Sequence, residues 1–197
     1  MEVIGWHGTT EHAFKKISNS GFQYRKFTPG ITPQRYPNDL GNGIYFFIPF
    51  GHDNGKIIAS AYVSRYKDFI KFSNQTSYKL ISCRLVLDDD KILDLNNEIN
   101  ISMINEFKEK YQTKLELVLN TISNNPAKTR ALRHKNNFGL IVELFIQYIE
   151  FNKPEFIYQA VNKKTYTDLP QLPIIKNNNG HEICIRKIET IKEIGGE

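Results

Sequence analysis

The chain has 197 residues, enough for one domain with a proper core and short for two. Hydrophobic residues make up 40% and charged residues 24%, which excludes disordered and collagen-like chains. The net charge of +5 suits a polyanionic partner such as nucleic acid, and equally an ordinary solvated surface.

Residues 1–6 include Glu2 and no basic run, so no signal peptide is expected. Val3 to Trp6 form a short apolar run that reads as a strand. Thr9 and Thr10 can cap a helix over 11–20, with Ala13, Phe14 and Ile17 on its buried side and Gly21 at its end. Residues 23–40 hold three prolines and no period, which predicts a loop. A buried strand is expected over 44–48 and a helix over 55–66. Residues 78–87 alternate, with Ile81, Cys83, Leu85 and Leu87 on one face, and read as a strand. The acidic turn Asp88-Asp89-Asp90 leads to a short strand over 91–95.

From 101 to 122 the period changes. Ile104, Phe107, Tyr111, Leu115, Val118 and Ile122 recur every three or four residues, as in one amphipathic helix. A basic, polar link over 124–137 precedes a helix over 138–151. Its apolar stretch 140–149 is broken by Glu143 and Gln147 and is too short to span a membrane. A strand over 156–161, a polar loop over 163–180 and an alternating strand over 182–188 complete the pass. Cys83 and Cys184 offer neither a metal pattern nor a disulfide framework, so a cytosolic protein with reduced thiols is expected. Strands gather at both ends and helices fill the middle, which predicts a single α+β domain over 1–197 with a mainly antiparallel sheet.

Three separated segments hold residues suited to chemistry. In Trp6-His7-Gly8-Thr9 a strand runs into a helix start. A histidine there can hydrogen-bond a ligand at a cleft edge, and the glycine admits a flat ligand close to the backbone. In Gly41-Asn42-Gly43-Ile44-Tyr45-Phe46 two glycines precede a strand whose Tyr45 can form a flat wall. Tyr62, further on, can supply a second ring. In Gly180-His181-Glu182-Ile183 a carboxylate begins a buried strand, where it needs a partner or a task. Taken singly, each is matched by a common structural role: a turn histidine, core aromatics, a strand-edge glutamate. Glu143 is a rival carboxylate, expected on the polar face of its amphipathic helix.

In order and spacing the three segments resemble the poly(ADP-ribose) polymerase branch of the ADP-ribosyltransferase superfamily, closely over 3–66 and 180–194 and vaguely between. The resemblance implies a split antiparallel β-sheet with NAD⁺, a co-substrate, in the cleft between its halves. It further implies that His7 bonds the adenosine ribose, Gly8 pairs its backbone with the nicotinamide amide and Thr9 sits beside the ribose. Tyr62 would stack on the nicotinamide, Tyr45 would line that pocket, and Glu182 would bind the nicotinamide ribose and stabilise the reaction centre. His7, Tyr45 and Glu182 are thus the expected catalytic set, and no metal is called for. Arg25 and Arg35 are candidates to touch the pyrophosphate. The chain departs from the family at Ala59, where a serine is usual three residues before the second tyrosine, and at Gly180, where arginine-modifying relatives carry an acid or amide.

The function so implied is transfer of one ADP-ribose to a macromolecule, with nucleic acid favoured over protein by the basic balance. Small free-standing members of the superfamily are often toxins or phage-defence effectors that meet an antitoxin or inhibitor. The basic residues of 127–135 would make a phosphate-binding patch or a solvated connector. Two alternatives stand beside this reading. One is an NAD⁺-dependent RNA 2′-phosphotransferase, which does not need the late glutamate. The other is a non-catalytic module that binds NAD⁺ or ADP-ribose.

Overall fold

The computed structural model describes residues 1–29, 37–52, 54–69, 77–123, 137–166 and 178–196. Strand β1 (Glu2–Thr10) runs directly into helix α1 (Glu11–Ser20). Thr10 makes the junction: its side chain accepts the Ala13 N–H at 3.2 Å and satisfies one open donor of the first turn. Gly21, at φ 71°, ends the helix and donates its N–H to the Ile17 carbonyl at 2.8 Å. Phe14 and Ile17, three residues apart, turn together onto the sheet.

The remaining elements are β2 (Ile44–Ile48), α2 (Lys56–Phe69), β3 (Tyr78–Val86) and β4 (Ile92–Asp94). Then come α3 (Glu98–Lys110), α4 (Gln112–Ser123), α5 (Phe138–Asn152), β5 (Ala160–Thr165), β6 (Gly180–Ile185) and β7 (Ile191–Gly196). The described residues are therefore α+β, with a seven-stranded mixed sheet in the order β4-β5-β6-β2-β1-β3-β7 and five helices. Every neighbouring pair is antiparallel except β4 and β5. A parallel pair needs a long crossover, and α3, α4 and α5 lie within it.

The sheet is unevenly knit. All nine residues of β1 pair with β3, from Glu2↔Val86 to Thr10↔Tyr78, and all five of β2 pair with β6. Between β1 and β2 only Trp6↔Phe47 are in register. Two half-sheets, β4-β5-β6-β2 and β1-β3-β7, thus meet at one rung.

Side chains alternate between the two faces. On one face Phe46, Ile48, Ile81, Cys83, Leu85, Ile183 and Ile185 form a core that Phe22 and α1 cover. On the other, α2 packs over Trp6, Phe47 and Leu80, while α3, α4 and α5 cover Leu93, Val161 and Cys184. Two bodies of helix therefore stand on the same face.

Some sequence expectations are corrected. The single helix over 101–122 is two, hinged at Tyr111 (φ −113°, ψ 17°). Tyr111 rests against Phe107 at 5.1 Å and Tyr148 of α5 at 5.2 Å. The hydrogen bonds Tyr111 N–H to Phe107 and Leu115 N–H to Tyr111 continue through the bend, so the apolar period shows no break. The strand placed over 156–161 begins only at Ala160 and extends to Thr165, inside the residues read as loop. Phe156 and Tyr158 pack edge to face in the approach to it. The strand over 182–188 ends at Ile185, and β7 follows it after a 3-10 turn over Ile188–Thr190.

Candidate active site

The three sequence segments converge where β1, β2 and β6 lie side by side. Trp6 faces Phe47, Phe47 faces Glu182, and Glu182 faces Lys163 of β5. These four side chains form one row across four strands, on the face that carries α2 and α5, each about 4.8 Å from the next strand. Tyr62 of α2, 46% exposed, sets its ring 5.7 Å from Phe47. At the far end Lys163 lies over the Phe138 ring at the start of α5, 5.1 Å from its centre. Glu182 thus sits between an aromatic side, Phe47 with Tyr62 of α2, and a cationic side, Lys163 of β5.

Glu182 is half-buried and receives one hydrogen bond, from the Thr165 hydroxyl at 2.8 Å. Burial raises its pKa above the usual carboxylate range. Thr165 pulls against this, the nearby Asp39 adds to it, and the charge of Lys163 opposes it. Among the described residues the desolvated carboxylate is not saturated by donors, a state that favours any positive charge developing beside it.

His7 is the next residue after Trp6 and turns to the opposite face, edge-on to Phe22 at 5.3 Å and tilted against Phe46 at 5.8 Å. Its Nδ1 donates to the Tyr45 carbonyl at 2.8 Å, which fixes the proton on Nδ1. An imidazole therefore reaches across from β1 to the β2 backbone just past the single rung, where further ladder pairs would otherwise form. This side-chain bond joins the half-sheets beside their single rung. His7 and Glu182 do not share a face, and strand β2 lies between their strands.

Tyr45 is on the Glu182 face, two residues from Phe47. Its ring packs into the core beneath α5, and its hydroxyl donates to the Gly41 carbonyl at 2.8 Å and accepts the Leu40 N–H at 2.9 Å. Burial holds that hydroxyl well above its usual pKa. The side chain is thereby a brace for the turn before β2. Gly43 in that turn is obligatory: a Cβ there would lie 2.7 Å from the Cys184 sulfur and against the Ile185 carbonyl.

Gly8 also lies on the Glu182 face. A Cβ there would stand 2.7 Å from both the Ala59 carbonyl oxygen and the Val63 Cβ. On its Cα side this glycine is approached closely by α2, and Ala59 is fully buried at the contact. Thr9 is half-buried and pairs with Lys79. Of the two threonines expected to cap α1, Thr10 does so. Arg25 is exposed, on a segment tied down by its neighbours: Tyr24 donates to the Arg186 carbonyl and Lys26 pairs with Glu150 at 3.2 Å. Arg35 and the basic stretch 127–135 lie outside the described residues.

Glu143 corrects the sequence reading outright. Instead of a polar-face residue it is fully buried, with 0% exposure, and forms a two-toothed ion pair with Arg186, itself 6% exposed. The sequence also leaves Thr165 and Lys163 unmarked. Lys163-Lys164-Thr165 reads as a polar loop, and only strand pairing reveals that the first and third share the Glu182 face. A concavity of about 500 Å³ lies elsewhere on the sheet, beside the β3–β7 irregularity at Cys83 and Arg84. None of the candidate site residues lines it.

Among the described residues no helix is long and apolar enough to cross a membrane. No family model, curated protein or solved structure matches the chain.

Proposed function

We propose that the chain is a mono-ADP-ribosyltransferase that uses NAD⁺ to modify a macromolecule, with nucleic acid favoured over protein as acceptor. One observation carries the reading. Residues 7, 45 and 182, far apart in sequence and marked by resemblance, belong to three adjacent strands, with a direct His7–Tyr45 bond and a Phe47↔Glu182 pair at their junction. The one-rung join between half-sheets agrees with the split sheet that the resemblance implies.

In this reading NAD⁺ lies along the gap between β1 and β2. Its nicotinamide rests on the aromatic side, at Tyr62, with Gly8 contributing backbone groups and Tyr45 shaping the end of the pocket. His7 and Thr9 serve the adenosine half, and Arg25 and Arg35 the pyrophosphate. As the bond between nicotinamide and ribose breaks, its electron pair leaves with the nicotinamide and positive charge develops on the ribose carbon. Glu182 stabilises that charge and hydrogen-bonds the ribose hydroxyl. An oxygen or nitrogen of the acceptor then bonds to the carbon, and its proton passes to Glu182 or to solvent. The basic balance of the chain fits a toxin or phage-defence effector acting in the cytoplasm and held in check by an inhibitor protein.

The test is incubation with labelled NAD⁺ and a cell lysate, with RNase, DNase or protease added, beside the Glu182→Ala variant. Label sensitive to a nuclease and absent with the variant is the expected result. Label removed only by protease moves the acceptor to protein. Neither label nor released nicotinamide from the unaltered protein would sink the transferase and leave a binding module. Full activity in Glu182→Ala would favour the 2′-phosphotransferase.

A further inference from the structure

The buried pair Glu143–Arg186 is not spent on helix packing alone. Both carboxylate oxygens are doubly engaged. One takes Arg186 Nη1 and the Asn42 backbone N–H at 2.9 Å; the other takes Arg186 Nη2 at 3.2 Å and Gln147 Nε2 at 2.8 Å. Arg186 Nη1 also donates to the Asn42 carbonyl at 3.2 Å, so the pair grips both backbone groups of Asn42. The Asn42 side chain in turn accepts the Phe27 N–H at 2.8 Å, and Gln147 donates to the Phe27 carbonyl at 2.8 Å.

Everything in this network closes on the turn over 40–45. From inside the fold, the Tyr45 hydroxyl holds Leu40 and Gly41 of the same turn. The Tyr45 carbonyl at its end receives His7. A chain of direct bonds therefore links the ion pair to Asn42, and the turn links Asn42 to the imidazole. A buried ion pair is a poor source of stability compared with apolar side chains of equal volume. Its geometric strictness is what an apolar pair would lack, since a planar fork fixes its partner in both distance and angle.

We infer that Glu143 and Arg186 are positioning residues for the donor site: they lock the turn over 40–45 so that the Tyr45 carbonyl holds the His7 ring in its NAD⁺-binding orientation. This rests on the transferase reading above.

The test compares Arg186→Lys and the double variant Glu143→Leu/Arg186→Met with the unaltered full chain. Thermal midpoint, NAD⁺ kinetics well below that midpoint, and the His7 ring nitrogen and Nδ1 proton signals by NMR are all recorded. The double variant should fold with an equal or higher midpoint, because two desolvated charges are replaced by apolar volume. It should lose the bonded Nδ1 proton signal and show KM for NAD⁺ raised about tenfold, the scale of one or two lost hydrogen bonds, with kcat much less affected. Arg186→Lys keeps the charge but not the fork, and should fall between. Unchanged KM and imidazole signal in folded variants would overturn the inference and leave the pair a purely structural one. Should the double variant not fold, Arg186→Lys decides by the same readouts. The imidazole signal is read without NAD⁺. A chain that never consumes NAD⁺ would thus defeat the functional reading while the hold on the turn is judged separately.

Discussion

Two regions of this molecule each hold a glutamate in an apolar setting, and they use it in opposite ways. Glu143, between α5 and the turn before β2, is sealed from solvent and surrounded by donors from Arg186, Asn42 and Gln147. Glu182, between Phe47 of β2 and Lys163 of β5 on the sheet, is desolvated and, among the described residues, receives the Thr165 hydroxyl alone. A saturated carboxylate is committed to geometry. An undersaturated one has capacity left for something that arrives later. The two acids thus differ both in exposure and in the donors that the described residues offer them.

Substitutions can break or sharpen this contrast. The largest effect is expected at Glu143→Ala, which leaves the Arg186 guanidinium buried without its partner. Chemical denaturation should show a loss of about 3–5 kcal/mol. A loss below about 1 kcal/mol, the scale of an exposed ion pair, would erase the distinction between the two sites. His7→Ala comes next, with NAD⁺ affinity by calorimetry falling by about 1–3 kcal/mol for one or two hydrogen bonds. Unchanged affinity would remove His7 from the donor site.

The smallest effects concern pH. Burial raises the Glu182 pKa in the folded chain above its unfolded value, so the folded state binds that proton more tightly. The ionised side chain therefore costs stability above the folded pKa, and the cost disappears as pH falls below the unfolded one. Glu182→Gln should be the more stable protein at neutral pH, with the difference closing in acid. A variant less stable than the unaltered chain at neutral pH would show Glu182 to be structural like Glu143. Thr165→Val removes the one bond that favours the carboxylate form, so the pKa should climb further. The acid limb of the kcat/KM profile should then move to higher pH, and an unmoved limb would separate Thr165 from the reaction.

Much of this was legible in the sequence where a local pattern reports a local fact. Thr10 and Gly21 frame α1, the alternation of Ile81, Cys83 and Leu85 marks β3, and the motif residues fall on three strands that lie side by side. What stayed hidden depends on partners distant in sequence. The hinge at Tyr111 keeps its backbone bonds and so leaves the apolar period intact. The strand nature of Lys163-Lys164-Thr165 is set by pairing with β6, against a composition that favours a loop. The face turned by His7, and the filling of the space at Gly8 by α2, follow from how the half-sheets and helices pack. Glu143 and Arg186 are 43 residues apart, and no spacing rule joins a helix acid to an arginine just past a strand.

The position of β6 in the sheet has a consequence for biosynthesis. It is the sixth strand in sequence but inserts between the second and the fifth. A ribosome-bound chain that has emerged only to residue 179 would leave the backbone groups of β2 and β5 open as raw edges, a template for wrong pairing. It would hold the His7 and Tyr45 segments without Glu182. Because its strand pairings join such distant stretches of sequence, closure of this sheet should be slow. The strand that joins β2 to β5 is therefore made after both of its neighbours.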